Sequence, residues 1–313
     1  MQGLENVHIL ISGGCSFVGR HLVDYLFQNT NSELIVCCRN IPENTLFSKR
    51  IVYENADLLN SVSYDNIFKR YKPTVVIHLA AITRLVHGEE NPELTLKTNY
   101  FGTKLIADLC TKHRVKTFLS LSSNLARNPK SVVGITKYFS EIYLRNKGTD
   151  KTQFISIRLP NVLGSPGSVT NIFDKQIETG GPITITDKRM ERRFVSNEEA
   201  SILLLTAIEI GKNYNVFVVT KENTLITKLA REMIDRSGKP IKIKFIGIKP
   251  GEKLIEEKYH KNEIIKTNIK NLSILKNDWS NENIKEAFRQ LKAKNKNKNF
   301  DLLIKEIELS LQP

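Results

Sequence analysis

Short apolar runs alternate along this chain with stretches whose apolar residues fall at helical spacing. Val7–Ser12, Glu33–Cys38, Thr74–Leu79, Phe118–Leu121 and Phe154–Leu159 each read as a buried strand, with a further one near Ile51–Tyr53. Between them, His21, Leu22, Tyr25 and Leu26 form an amphipathic run. Asn91-Pro92 opens a long helix carrying Asn99, and Pro129 opens another in which Val132, Ile135, Phe139 and Ile142 share one face. On that helix Val133 and Lys137, four residues apart, share a second stripe, which holds a lysine beside whatever lies above the preceding strand end. Ser196–Ile210 is a further amphipathic helix, with a capping serine and Glu198 and Glu199 in its first turn. Val216–Val219 is a strand expected to return to the main sheet. Strands alternating with helices predict an α/β fold built on a doubly wound parallel sheet. Residues 279–313 read as two charged helices without recognisable chemistry, and no internal repeat is present.

Composition narrows the field without identifying a ligand. With 313 residues, 40% hydrophobic and 26% charged, the chain is long enough for one large or two medium cores. The formal charge of +14 raises nucleic acid as a partner. The lysines, however, thicken after Lys239 and end in K-A-K-N-K-N-K-N without interleaved aromatics, so a solvated basic face is expected and no nucleic acid. Cys15, Cys37, Cys38 and Cys110 contain no C-x-x-C pair, and the adjacent two point to opposite faces of one strand; reduced thiols in a cytoplasmic protein are expected. The run Val7–Ile11 is far too short for a signal core or a membrane span, so no membrane partner is expected. No metal site is expected either.

The residues with chemistry sit where strands end. S-G-G-C-S-F-V-G joins the first strand to the first helix, so Gly13, Gly14, Ser16, Phe17, Val18 and Gly19 form a glycine turn at a helix N-terminus, an arrangement that receives a dinucleotide pyrophosphate. The second strand ends in Arg39-Asn40. An acidic residue there would bond the adenosine ribose hydroxyls, whereas an arginine pairs with a 2′-phosphate, which favours NADP over NAD. The fourth strand runs through Leu79 into the small pair Ala80-Ala81, past which a cofactor can lie close.

These motifs resemble the extended short-chain dehydrogenase/reductase superfamily. Its glycine turn reads T-G-x-x-G-x-x-G, with Gly13 and Gly19 at the outer positions here and Ser16 at the middle one. Its active-site helix reads Tyr-x-x-x-Lys, with Val133 at the tyrosine position and Lys137 kept. One branch is closer, the UDP-N-acetylglucosamine 4,6-dehydratases of glycan biosynthesis, which read L-S-T-D-K-A-x-N-P…G-x-T-K. Leu121, Ser122, Asn128, Pro129, Gly134, Thr136 and Lys137 match that pattern, and the likeness runs over roughly residues 7–260.

What the resemblance implies is specific. The fold would be a Rossmann domain, residues 1–165 plus 194–220, with a smaller α/β substrate domain, 166–193 plus 221–313. Asp57 and Leu58 would hold the adenine, and Leu79, Ala80, Ala81, Thr83, Asn99 and Lys137 would border the cofactor. R-L-P-N-V-L-G-S-P-G-S-V would hold the sugar diphosphate through Asn161, Gly167, Ser168 and Val169. G-G-P-I-T-I-T-D…R-R-F-V would set Thr184 along the uracil and Arg192 on the diphosphate, Glu252 of P-G-E-K-L-I-E-E would take ribose hydroxyls, and Arg84 would face the substrate. The ligands would be NADP and a UDP-sugar, and the assembly a homo-oligomer.

The departures fall on the chemistry. The branch's Thr-Asp-Lys is Ser123-Asn124-Leu125, and its Lys-His pair is Thr83-Arg84, with a histidine three residues on at His87. Lys137 is expected to move the C4 hydroxyl proton, Ser123 to bond O4, Asn124 to orient O6, and His87 to carry a proton. Three functions stay open in this order: an inverting 4,6-dehydratase with relocated acid and base, a UDP-sugar 4-epimerase or 4-ketosugar reductase, and a catalytically silent nucleotide-sugar binder.

Overall fold

The apolar runs become neighbouring strands: β1 (His8–Ser12), β2 (Glu33–Cys38), β3 (Ile51–Asn55), β4 (Val75–His78), β5 (Thr117–Ser123) and β6 (Gln153–Leu159). The computed structural model describes residues 2–147, 151–248, 251–276, 279–295 and 297–312. In space the strands run in the order β3-β2-β1-β4-β5-β6, all parallel, and Val216–Val219 adds a parallel strand beside β6 as the sequence predicts. This is the doubly wound order, whose C-terminal strand ends all open on one edge.

Helices cover both faces of the sheet. On one side lie α1 (Phe17–Asn29) and the helix Asn197–Ile210, whose capping Ser196 accepts from the Glu199 amide at 3.0 Å. On the other lie α2 (Ser61–Tyr71), the short α3 (Leu85–Glu90), α4 (Pro92–Thr95), α5 (Gly102–Lys112) and α6 (Val132–Asn146). Helix α6 starts three residues later than Pro129 suggests, because Ser131 caps it by accepting from the Gly134 amide at 3.1 Å. Gly134 packs so closely on the loop after β5 that a Cβ there would meet the Leu125 carbonyl at 2.4 Å. That contact fixes the loop Asn124–Ala126 against the helix bearing Lys137.

The long helix from Pro92 is not uniform. Between α4 and α5 the segment Leu96–Phe101 is a π-helix, a distortion that often marks functional regions.

A smaller cluster builds the opposite wall of the cleft described below. It packs Phe173, Ile177, Ile183, Ile185, Met190, Ile226 and Ala230, from the helices Val169–Glu178 and Ile226–Ser237 and the strand Ile183–Ile185. The C-terminal part expected in that unit packs elsewhere. Strands Ile264–Lys266 and Leu272–Leu275 extend the main sheet antiparallel beyond Val216–Val219. The helices Asn281–Lys292 and Lys298–Ser310 bury Ala287, Leu291, Phe300, Ile304 and Ile307 against the first core. The two charged helices are amphipathic, and their apolar faces belong to the large sheet.

The cysteines depart from the expectation of four free thiols. Cys37 and Cys38 do face opposite cores, but Cys38 is joined to Cys15 in a disulfide with 5.8 Å between Cα atoms; Cys37 and Cys110 are free and buried. The glycine turn folds over the end of β2, where the Gly13 amide donates to the Cys37 carbonyl at 2.9 Å. That brings position 15 within bonding reach of position 38.

Candidate active-site cleft

The strand ends converge on a cleft of about 580 Å³. Val18, Leu79, Ala81 and Thr83 line one end. Ser123, Asn124, Val133 and Lys137 line the middle, and Asn161, Gly167, Ser168, Val169, Thr184, Arg192 and Glu252 line the other, with Arg84 beside Gly167. Residues far apart in the chain are therefore brought together in one cleft.

At the first end the glycine turn fits a dinucleotide. Gly13 has φ +72°, and a Cβ there would lie 2.7 Å from the Ala80 backbone; one at Gly19 would lie 2.4 Å from the Gly13 carbonyl. Turn, helix and the Ala80 loop are thus pressed together, the close strand-turn-helix packing that a dinucleotide-binding turn requires. Ser16, at the middle position, caps α1 by accepting from the Gly19 amide at 3.1 Å. Its hydroxyl replaces a glycine with a structural cap. Gly14 and Phe17 complete the turn, Arg39 and Asn40 follow β2 as exposed residues, and Asp57, whose carboxylate accepts from the Leu59 amide at 2.9 Å, follows β3 with buried Leu58.

Lys137 forms the floor. It is 4% exposed, its Nζ donates to the Leu121 carbonyl at 2.7 Å, and burial lowers its pKa from 10.5 to about 8 against the opposing pull of Glu141. Below it His78 is fully buried between Ser12 Oγ (2.6 Å) and Thr103 Oγ1 (3.0 Å); burial, and then Lys137, push its pKa down to about 3, so it is neutral. One turn along α6, Glu141 is clamped by Arg158 at 2.6 and 2.9 Å and by the Ser122 hydroxyl, and Arg158 reaches the Tyr259 hydroxyl at 3.2 Å. A buried pair bonded on this many sides is a rigid support for the lysine.

Several expected residues take other roles. His87 lies on α3, exposed, with Nδ1 3.4 Å from the Asn91 amide nitrogen, and it does not line the cleft; the helical turn from Leu85 carries it outward. Asn99 is fully buried. Its amide is spent on the Ile82 backbone (2.7 and 2.9 Å) and Thr136 (3.1 Å), so it holds the loop after β4 and has no group left for a cofactor. Arg192 lines the cleft, but its guanidinium donates to the carbonyls of Glu191 and Lys253 at 2.7 Å and pairs with Glu252 at 3.5 Å. Thr184 is held by Gln176 at 2.7 Å.

Just after Glu252 lie ionisable residues to which the sequence motifs assign no role. Glu256 and Lys253 both line the cleft. Lys253 Nζ donates to the Arg127 carbonyl, and burial lowers its pKa to about 8. The available signal was the full run P-G-E-K-L-I-E-E, three more of whose charged residues, Lys253, Glu256 and Glu257, face the same space; Pro250 at its start and Lys249 before it lie outside the described residues.

The strand order, the glycine turn and the lysine at the cleft floor define the fold of the extended short-chain dehydrogenases/reductases. A family model described as polysaccharide biosynthesis protein matches residues 9–277, and the chain belongs to that family. Among relatives, it is 41% identical over 228 residues to the probable polysaccharide biosynthesis protein EpsC of Bacillus subtilis, covering 71% of this chain but only 38% of that protein. It is 30% identical to the UDP-N-acetylglucosamine 4,6-dehydratase (inverting) of Campylobacter jejuni, over 80% of this chain and 76% of the relative. A UDP-glucose 4-epimerase of Rickettsia canadensis matches at 28% over 79% and 76%. Among solved structures, Pen from Bacillus thuringiensis superposes with a TM-score of 0.79 at 28% identity, covering 87% of this chain and 88% of that one.

Proposed function

We propose that this chain is a UDP-N-acetylglucosamine 4,6-dehydratase acting with NADP. The observation that carries the reading is the buried Lys137 amine at the cleft floor, with its pKa lowered to about 8. NADP, when bound, supplies the hydride acceptor and later the donor. Lys137 in its neutral form takes the C4 hydroxyl proton, and Ser123 bonds O4. The C4 carbonyl then makes the C5 proton acidic, so elimination needs only an ordinary base and acid. Asn124 and Leu125 can be neither. Lys253, Glu256 and Glu257, which line the cleft on one later segment, are ionisable groups that could take these steps. Arg39, an exposed arginine at the end of β2, favours NADP over NAD through the 2′-phosphate.

Asn124 and Leu125 also favour a second reading, a UDP-sugar 4-epimerase or 4-ketosugar reductase, which needs hydride transfer and proton movement at O4 alone. Incubation with UDP-N-acetylglucosamine and NADP followed by mass spectrometry separates the two. Loss of one water supports the dehydratase. Unchanged mass with inverted C4 supports the epimerase. Binding without turnover refutes both.

A further inference from the structure

Glu256 organises the sugar half of the cleft. Its Oε2 accepts from Asn124 Nδ2 at 3.0 Å and from the Arg193 backbone amide at 3.4 Å, and its Oε1 accepts from Asn161 Nδ2 at 2.9 Å. Its own main-chain carbonyl is held by Asn223 Nδ2 at 3.0 Å and Arg193 Nη2 at 3.4 Å, so the side chain, 9% exposed, is anchored from behind.

An ionised carboxylate only accepts, so each amide facing it must present its NH₂ group. Turning the Asn124 amide over would set its carbonyl oxygen 3.0 Å from a carboxylate oxygen and forfeit a charge-assisted bond. Asn124 Oδ1 is therefore aimed away from Glu256. It is buried, and among the described residues no donor reaches it. Asn124 lines the cleft beside Ser123 and Lys137. A buried carbonyl oxygen without a donor is costly to keep, and a ligand that supplies the donor recovers that cost.

We propose that Glu256 is a positioning residue that sets the polarity of the sugar subsite. By holding the amide hydrogens of Asn124 and Asn161, it presents the Asn124 carbonyl as an acceptor, so the subsite selects sugars that bring a hydroxyl or amide hydrogen to that point. This rests on reading the cleft as a UDP-sugar site. The group bound there keeps its hydrogen, and position 124 gives it none. In a dehydratase the proton for the departing hydroxyl then comes from another side chain.

The test compares calorimetric affinities for UDP and UDP-N-acetylglucosamine, with NADPH bound so that no hydride can leave the sugar. The ratio of the two isolates the sugar's contribution. Asn124→Leu is expected to lower that ratio about tenfold while leaving UDP binding unchanged. Glu256→Gln lowers it too, because a single amide carbonyl cannot hold both asparagines, and the double variant loses less than the two losses combined. An unchanged ratio in Asn124→Leu, fully additive losses, or UDP weakened in parallel overturns the assignment. So does a wild type that binds the sugar nucleotide no more tightly than UDP. If the ratio falls as expected but no product forms with NADP, the catalytic reading fails and the polarity assignment stands.

Discussion

Replacing Lys137 by methionine should abolish the chemistry and make the protein more stable. Burial lowers the amine's pKa from 10.5 to about 8, which at about 1.4 kcal/mol per pH unit corresponds to roughly 3 kcal/mol against the folded state at neutral pH. The sign follows from proton binding. Between about 8 and 10.5 the unfolded chain still holds the proton that the folded chain has released, so wild-type stability climbs with pH in that window and the full penalty applies below it. Methionine fills the same volume without charge. It gives up the bond from Nζ to the Leu121 carbonyl at 2.7 Å, worth about 1 kcal/mol. The variant should therefore be about 1–2 kcal/mol more stable at pH 7, and the advantage should shrink by pH 10. Urea unfolding at both pH values measures it, and absorbance of the reduced cofactor on adding UDP-N-acetylglucosamine measures the chemistry. A variant less stable than wild type at pH 7, or a difference that ignores pH, refutes the account of the buried amine. Retained cofactor reduction refutes its role.

Other outcomes follow from the same geometry. Cofactor reduction by the wild type should rise with pH and level off above about 8, falling about tenfold per unit below, since the proposed base is the neutral amine of Lys137, whose pKa is lowered to about 8; a flat profile of initial rates would remove it as the base. Gly13→Ala sets a methyl group 2.7 Å from the Ala80 backbone at φ +72°, so a fluorescence titration should find dinucleotide binding weakened, and thermal unfolding should find the fold destabilised by about 1–3 kcal/mol. Protein denatured without reductant should titrate two thiols, Cys37 and Cys110, and four after reduction; four at the outset would exclude the pairing. His87→Asn should turn over as wild type does, because the ring lies outside the cleft, and slower C5 deuterium exchange would return it to the mechanism.

The sheet was legible because strands buried on both faces write themselves as continuous apolar runs: Glu33–Cys38 coincides with β2 residue for residue. Glycine turn, Lys137 and Asn161 were legible for a similar reason, since each sits at a strand end or on a helix stripe where local pattern dictates position. What escaped depends on how segments turn against one another. The Cys15–Cys38 pairing needs the glycine turn folded over β2. His87 and Thr83 belong to one loop in sequence, yet the first turn of α3 sends one outward and leaves the other in the cleft. Asn99 reads as a ligand residue until its amide is found closed on Ile82.

The same distinction bears on the reaction. In the proposed reaction, hydride chemistry at C4 would draw on the sheet and α6, whose residues are fixed by the first core and by the Glu141–Arg158 pair. Proton transfer beyond C4 has no ionisable group at positions 124 and 125, and the cleft's other ionisable groups include Lys253 and Glu256 on one later segment. That segment is bound to the site from both sides, through Arg127 and Asn124 on the sheet edge and through Arg193 and Asn223 on the sugar side. On the proposed reaction, the course after oxidation would therefore be decided by how residues 252–257 sit against the loop after β5. Variants there should redirect product without stopping cofactor reduction, whereas variants at Lys137 should stop both. A Lys253 or Glu256 substitution that abolished the first hydride transfer, with UDP binding intact, would show that this division of labour is wrong.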